Sequence, residues 1–294
     1  MSEIKGIYAA SVSILNKDMS LNIEKTANHC EKIIKDGCHG AVIFGSTGQA
    51  QLISLSEKIQ MVTFLSKTKD MDKFVIGCGL NSLLDTVNLM KVSISLGFKK
   101  FLVMPPAYYN YGDIEVINFY SKLIHSVPES KIILYNFEKL CGYKFSKTCV
   151  EELVRIFPKN IIGVKDSSYN LYKDLEIKDF SILPGSELKL LSGLKIGCSG
   201  IITATCNVTA KLSRKVYDDF FKNEAQTVND KLCEVRKTFD QFNLISGLHS
   251  FLKKTDNDFA NILPTLSLLD AKDEKTLFDN LKALDFPKQT NVAA

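Results

Sequence analysis

Lys165 stands where a lysine needs a reason. The segment 160–168, NIIGVKDSS, reads as a short apolar strand running into a turn. An ammonium at the end of a buried strand gives up hydration worth several kcal/mol, and an amine held that way can add to a carbonyl carbon and form a Schiff base. A stem that leaves the strand and carries its charge to water is the ordinary alternative for an isolated VKD, and this segment alone leaves it open. Tyr135 closes the preceding apolar run, KIILYN at 131–136. From a strand beside that of Lys165 its phenol can reach the same substrate and move protons, although a lone tyrosine there also serves as a core aromatic. Gly45-Ser46-Thr47-Gly48 follows another apolar run, GAVIF. Its amides and hydroxyls suit a small carboxylate, while the same residues also read as a tight turn. It is not a nucleotide loop, because the Lys-Ser/Thr of a P-loop and the G-x-G-x-x-G spacing are both missing.

The elements that must position these groups come from an alternation of short apolar runs with longer amphipathic ones. Strands are expected at 6–15, 40–44, 74–79, 101–104, 131–136, 160–165, 181–183 and 200–205. Helices are expected at 20–35 with Ser20 as N-cap, at 54–67 behind the capping pattern SLSE, and at 83–96, 114–125, 146–157, 171–175 and 188–196. Eight such units predict an α/β fold, a (β/α)8 TIM barrel over residues 1–207, with 208–294 as a C-terminal helical extension packed on it. In such a barrel the residues just after each strand face one cavity. That places Ser46, Thr47, Tyr108, Tyr109, Tyr135, Lys165, Gly185, Ser186, Glu187, Thr203 and Thr205 around one mouth. Neither a carboxylate pair nor a histidine trio is among them, which argues against glycosidase and metal-dependent aldolase chemistry and predicts no metal.

Charge and cysteine usage exclude other classes. Thirty-seven basic residues against 33 acidic ones give a net charge of +4, scattered along the chain, so neither a nucleic-acid footprint nor a membrane-binding patch is expected. No apolar run approaches the ~18 residues of a membrane span and the first residues lack a signal-peptide core, so a cytoplasmic protein is expected. The eight cysteines contain no C-x-x-C, and Cys30/Cys38, Cys141/Cys149 and Cys198/Cys206 are too far apart along a regular element to be bridged. They read as reduced, buried small hydrophobes. His29-Cys30 and Cys38-His39 do not complete a zinc set.

Six motifs in order then carry a resemblance: GSTG, PPAYYN, YNF, GVKDSS, LPGSE and GIITATCNV. Over residues 5–217 the chain resembles the dihydrodipicolinate synthase and N-acetylneuraminate lyase family of class I aldolases. The resemblance implies a homo-oligomer, tetramer or dimer, and a lysine imine with pyruvate as the only cofactor-like group. By position Lys165 would be that lysine and Tyr135 the proton-transfer tyrosine. Ser46 and Thr47 would hold the pyruvate carboxylate and the hydroxyl relay, and Tyr109 would be lent to a neighbouring subunit. The departures bear on substrate. Leu140 stands where the synthases carry an arginine for the carboxylate of aspartate semialdehyde, Glu138 replaces the usual proline, and Gln49 a common glutamate. YNF..L.G looks like the sialic-acid lyases and 2-keto-3-deoxy-sugar-acid aldolases. The expected activity is therefore cleavage of such a sugar acid, or a similar hydroxylated 2-keto acid, to pyruvate and an aldehyde. Gly185, Ser186, Glu187, Thr203 and Thr205 are the candidates for its distal hydroxyls. The alternatives are 4-hydroxy-tetrahydrodipicolinate synthesis and a non-catalytic ligand-binding barrel.

Overall fold

The structure, a computed structural model, describes residues 4–287; residues 1–3 and 288–294 of the two expected stretches lie outside it. The apolar runs form strands β1 (Gly6–Ala10), β2 (Gly40–Ile43), β3 (Phe74–Gly77), β4 (Lys100–Val103), β5 (Lys131–Asn136), β6 (Ile161–Asp166), β7 (Ser181–Pro184) and β8 (Gly200–Thr203). Between and after them run α1 (Ile23–Lys35), α2 (Leu55–Leu65), α3 (Leu83–Ser95), α4 (Asp113–Ser126), α5 (Glu138–Cys141), α6 (Lys147–Ile156), α7 (Leu190–Lys195), α8 (Cys206–Lys222), α9 (Asn229–Asp240), α10 (Leu244–Leu252) and α11 (Ala271–Ala283).

The strands form one parallel sheet in the order β7-β6-β5-β4-β3-β2-β1-β8. Ser199 N donates to Ile182 O at 2.9 Å and draws β8 toward β7, so the barrel is nearly closed. Strands covered on both sides lose the apolar-polar alternation and become continuous hydrophobic runs, as in GAVI and KIILYN. The helices bury one stripe each against this wall. The eighth helix, α8, packs through Cys206, Ala210 and Val216 against Ile7 and Ala9 of β1 and Ile201 of β8. After α8 the helices α9 to α11 follow. That extension seats Val235, Phe239, Leu248 and Leu277 on Val12, Ile14 and Ala204, which follow β1 and β8 at the mouth.

Several expected boundaries move, the start of the first helix by local competition. Ser20 bonds Asp18 (Oγ to Oδ1, 2.6 Å), and Asn22 caps α1 instead by accepting from Lys25 N at 3.0 Å. The first strand stops at Ala10 rather than residue 15. Residues 171–175 form a turn rather than a helix. All eight cysteines are free and seven are buried. Among the described residues no cluster of three or more His, Cys, Asp or Glu could hold a metal, and no helix is long and apolar enough to cross a membrane.

Candidate active site

Parallel neighbours in register project their side chains from the same face of a sheet. Tyr135 of β5 is paired with Lys165 of β6, so both reach the barrel mouth side by side. This pairing depends on a shift: Ile132 faces Ile161 but Ile133 faces Gly163, one residue further along β6. Without it Tyr135 would meet Val164, because a one-residue slip exchanges the faces of a strand. Gly163 permits the close approach of β7, since a Cβ there would stand 2.5 Å from Ser181 O.

Both side chains are almost fully buried, Lys165 at 3% exposure and Tyr135 at 4%. Lys165 Nζ lies 4.1 Å from the centroid of the Tyr135 ring. Among the described residues it makes neither an ion pair nor a hydrogen bond, so the ring face is the polarisable group that supports its charge. The adjacent carboxylate does not neutralise it. Asp166 projects to the other face and is saturated there by Asn136 Nδ2 (2.8 Å) and the amides of Tyr169, Leu171 and Tyr172 (2.9 Å each). Asn136 also bonds Asn170 Oδ1 and accepts from Phe145 N, so the second residues of the YN and KD pairs hold the loops that frame the first.

The Tyr135 hydroxyl lies 3.0 Å from Ser46 Oγ. Ser46 opens a 3-10 turn, Ser46–Gly48, bracketed by Phe44 and Gln49 in the left-handed region at φ 57° and 56°. Two non-glycine residues held there cost about 1–3 kcal/mol each, strain that concentrates at functional sites. The amides of Ser46 and Thr47 precede the first bond of the turn and make no hydrogen bond among the described residues. Together with the two hydroxyls they form a concave donor set for an anion. Gln49 pins the turn to the extension. Its Oε1 accepts from Leu263 N at 2.8 Å, and its Nε2 meets Nε2 of the fully buried His249 at 3.4 Å. His249 Nδ1 faces Phe259 O at 2.8 Å and must donate to it, which leaves Nε2 as the acceptor for Gln49. Burial lowers the His249 pKa against the raising effect of that bond, in keeping with a neutral ring.

The far side of the mouth is built differently. Glu187 is fully buried and accepts from Thr203 Oγ1 (2.8 Å), Thr205 Oγ1 (2.5 Å), Thr209 Oγ1 (3.0 Å) and Arg236 Nη1 (3.0 Å). Arg236, on α9, also reaches Thr203 Oγ1 at 2.9 Å and Asp240 at 2.9 Å. Burial alone would raise the Glu187 pKa, but the Arg236 charge and the hydroxyls outweigh it and hold the carboxyl below its usual range. The groups expected to meet distal substrate hydroxyls at Glu187, Thr203 and Thr205 therefore have other partners. Ser186, 2% exposed, accepts from Leu188 N at 3.3 Å, and a Cβ at Gly185 would stand 2.3 Å from Ser167 Oγ, so this corner is close-packed. Arg236 is the site-organising residue that local sequence reading missed, since Glu187 and Thr203 lie 49 and 33 residues away, and the partners that make Gln49 an anchor of the turn are as remote in sequence.

Tyr109 is 74% exposed and packs edge-on against Tyr108, so within one chain it stands outside the Lys165–Tyr135–Ser46 group. Leu140, on α5, is 43% exposed and faces a cavity of about 570 Å3 that Ser46 and Tyr135 also line. Glu138 explains its own presence in place of a proline: its N–H donates to Ser168 Oγ at 3.0 Å, a bond proline cannot make.

The chain is thus a nearly closed parallel barrel with a buried lysine and a tyrosine–serine pair at its mouth. Residues 3–284 match the model of the dihydrodipicolinate synthetase family, and the chain belongs to that family. A 4-hydroxy-tetrahydrodipicolinate synthase of Archaeoglobus fulgidus is 27% identical, covering 80% of this chain and 82% of its own. An N-acetylneuraminate lyase of Clostridium perfringens is 28% identical, covering 76% and 79%. The crystal structure of YagE, a prophage protein of the dihydrodipicolinic acid synthase family from E. coli K12 in complex with pyruvate, superposes with a TM-score of 0.87 at 22% identity, covering 97% and 99%. Members of the family are lyases that work through a lysine imine with pyruvate. Relatives of both named activities are equally distant, so identity does not choose the substrate.

Proposed function

We propose that the protein is a pyruvate-dependent carbon-carbon lyase that cleaves a 4-hydroxy-2-keto acid to pyruvate and an aldehyde through an imine on Lys165. One observation carries the reading: Nζ of Lys165 lies on the face of Tyr135 while the Tyr135 hydroxyl bonds Ser46. The lysine amine adds to the C2 carbonyl and water leaves. The protonated imine takes up the electron pair of the C3–C4 bond as Tyr135, relayed through Ser46, receives the C4 hydroxyl proton, and the aldehyde departs. Protonation of the enamine at C3 and return of water release pyruvate. The amides and hydroxyls of Ser46 and Thr47 fix the carboxylate so that C2 faces the lysine. Tyr109 is lent to the mouth of a neighbouring copy in a homo-oligomer.

The cavity wall bears on the partner aldehyde. Among the described residues it is lined by no Lys, Arg, His, Asp or Glu, so a semialdehyde carboxylate would find no counter-ion there. That disfavours 4-hydroxy-tetrahydrodipicolinate synthesis. The sugar-acid reading keeps Leu140 but loses Glu187, Thr203 and Thr205 as distal partners. Incubation with pyruvate and borohydride tests the core of the reading. A reduced pyruvyl group should appear on Lys165 with loss of activity, and an unchanged intact mass would leave only the binding-barrel alternative.

A further inference from the structure

The space next to the reacting pair has a definite chemical character. Leu52, Met104, Leu140, Ile245 and Leu266 wall the cavity that opens from Ser46 and Tyr135; Lys165 lies one aromatic ring behind that lining. The amide side chains that reach it are each committed at one end at least. Gln51 Nε2 donates to Gly79 O, Asn81 Oδ1 accepts from Ala107 N, and Gln49 is bonded at both ends. A hydroxyl-rich chain entering here would trade water mostly for hydrocarbon, with the hydroxyls of Ser46, Tyr108, Tyr135 and Thr265 as its side-chain partners, whereas an apolar substituent gains by the same burial. On the side where hydroxyls could have been met, the donors and acceptors are closed on Arg236.

We infer that the aldehyde half of the substrate carries a hydrocarbon substituent, branched aliphatic or aryl, seated against Leu140, Ile245 and Leu266. This deepens the lyase reading and rests on it. In the condensing direction the enamine C3 of Lys165-bound pyruvate bonds to the aldehyde carbon, the aldehyde oxygen takes its proton from Tyr135, and the water released on imine formation is consumed on hydrolysis. One pyruvate and one aldehyde give one 4-hydroxy-2-keto acid, with no other reactant. The outer rim of the same wall, at Leu52 and Tyr108, is where a second copy of the chain would be the competing occupant.

The test uses the full-length protein with pyruvate and three aldehydes: isobutyraldehyde, benzaldehyde and glyceraldehyde, the last close in size to the first but hydroxylated. The two hydrocarbon aldehydes should exceed glyceraldehyde in kcat/KM by at least about ten-fold, the discrimination an apolar pocket provides. Leu140→Asn and, separately, Ile245→Thr should shrink that ratio several-fold while the borohydride adduct with pyruvate still forms. Equal or better use of glyceraldehyde overturns the inference. So does a ratio unmoved by both variants when subunit dissociation shifts instead, which would make the wall a contact between copies. Absence of the pyruvate adduct in the unmodified protein is a different failure, and removes the lyase reading itself.

Discussion

Arg236 and Lys165 are both buried at the barrel mouth, and their surroundings are opposites. Arg236 has Glu187, Asp240 and the Thr203 hydroxyl around it, all three within 3.0 Å. Lys165 has, among the described residues, only the face of an aromatic ring. The first is a finished structural joint, fastening α9 to the strand ends β7 and β8. The second is an amine without a counter-ion, kept from its neighbour Asp166 by the alternation of a strand. A buried charge with every valence satisfied holds a fold together, while one with a valence left open is available to a substrate and adds nothing to stability.

Substituting each cation by methionine should separate the two roles, and the largest effect falls on catalysis. Lys165→Met should reduce pyruvate-dependent turnover by roughly 10^4-fold or more, with a melting temperature equal to or above that of the parent. A marked loss of stability would mean that Lys165 has a structural partner and would erase the contrast.

Arg236→Met should act the other way, lowering unfolding free energy in denaturant titrations by about 3–5 kcal/mol because Glu187 is left buried without its cation. The same joint carries a pH signature. Glu187 is held below its usual range in the folded protein, so the stability it contributes is complete above the ordinary carboxylate range of about 4 and is lost as pH falls through the lower folded value. Glu187→Gln should therefore be less stable at neutral pH and show a smaller further loss on acidification. A variant whose acid profile parallels the parent would show that other carboxylates set the limit.

The two sides also differ in how much could be read from sequence. Lys165, Tyr135 and the Ser46–Thr47 turn end apolar runs of the right length, so the geometry common to parallel barrels is enough to assign them to one mouth. The Tyr135–Lys165 pairing itself rests on the register shift after Ile132, which leaves no periodic signal. Arg236 lies 49 residues beyond Glu187 on a helix whose charge pattern is that of any amphipathic surface helix. Nothing local distinguishes it from Lys237, its exposed neighbour. The expectation that Glu187, Thr203 and Thr205 face substrate came from strand-end position alone, and position cannot tell an open hydroxyl from one claimed by a distant guanidinium.

The smallest effect, and the sharpest test of how the reactive side is held, concerns Gln49. Removing its side chain leaves Leu263 N without an acceptor, for a cost of about 1–3 kcal/mol, and frees the turn that carries Ser46 and Thr47. Gln49→Ala should raise KM for pyruvate several-fold and change kcat less, because the turn positions the carboxylate while Lys165 and Tyr135 sit on strands. Gln49→Glu separates positioning from mere packing. A carboxylate keeps the acceptor for Leu263 N, but it can bond His249 Nε2 only if that nitrogen carries a proton, which burial opposes in the parent. A low KM should therefore return in the glutamate variant at acid pH, where His249 is charged, and be lost as pH rises and the ring gives up its proton. The parent, in which the Gln49 amide meets that nitrogen without needing its proton, should show no such rescue. A KM for Gln49→Glu that tracks the parent at every pH would mean that the histidine contact is incidental and that Leu263 alone anchors the loop.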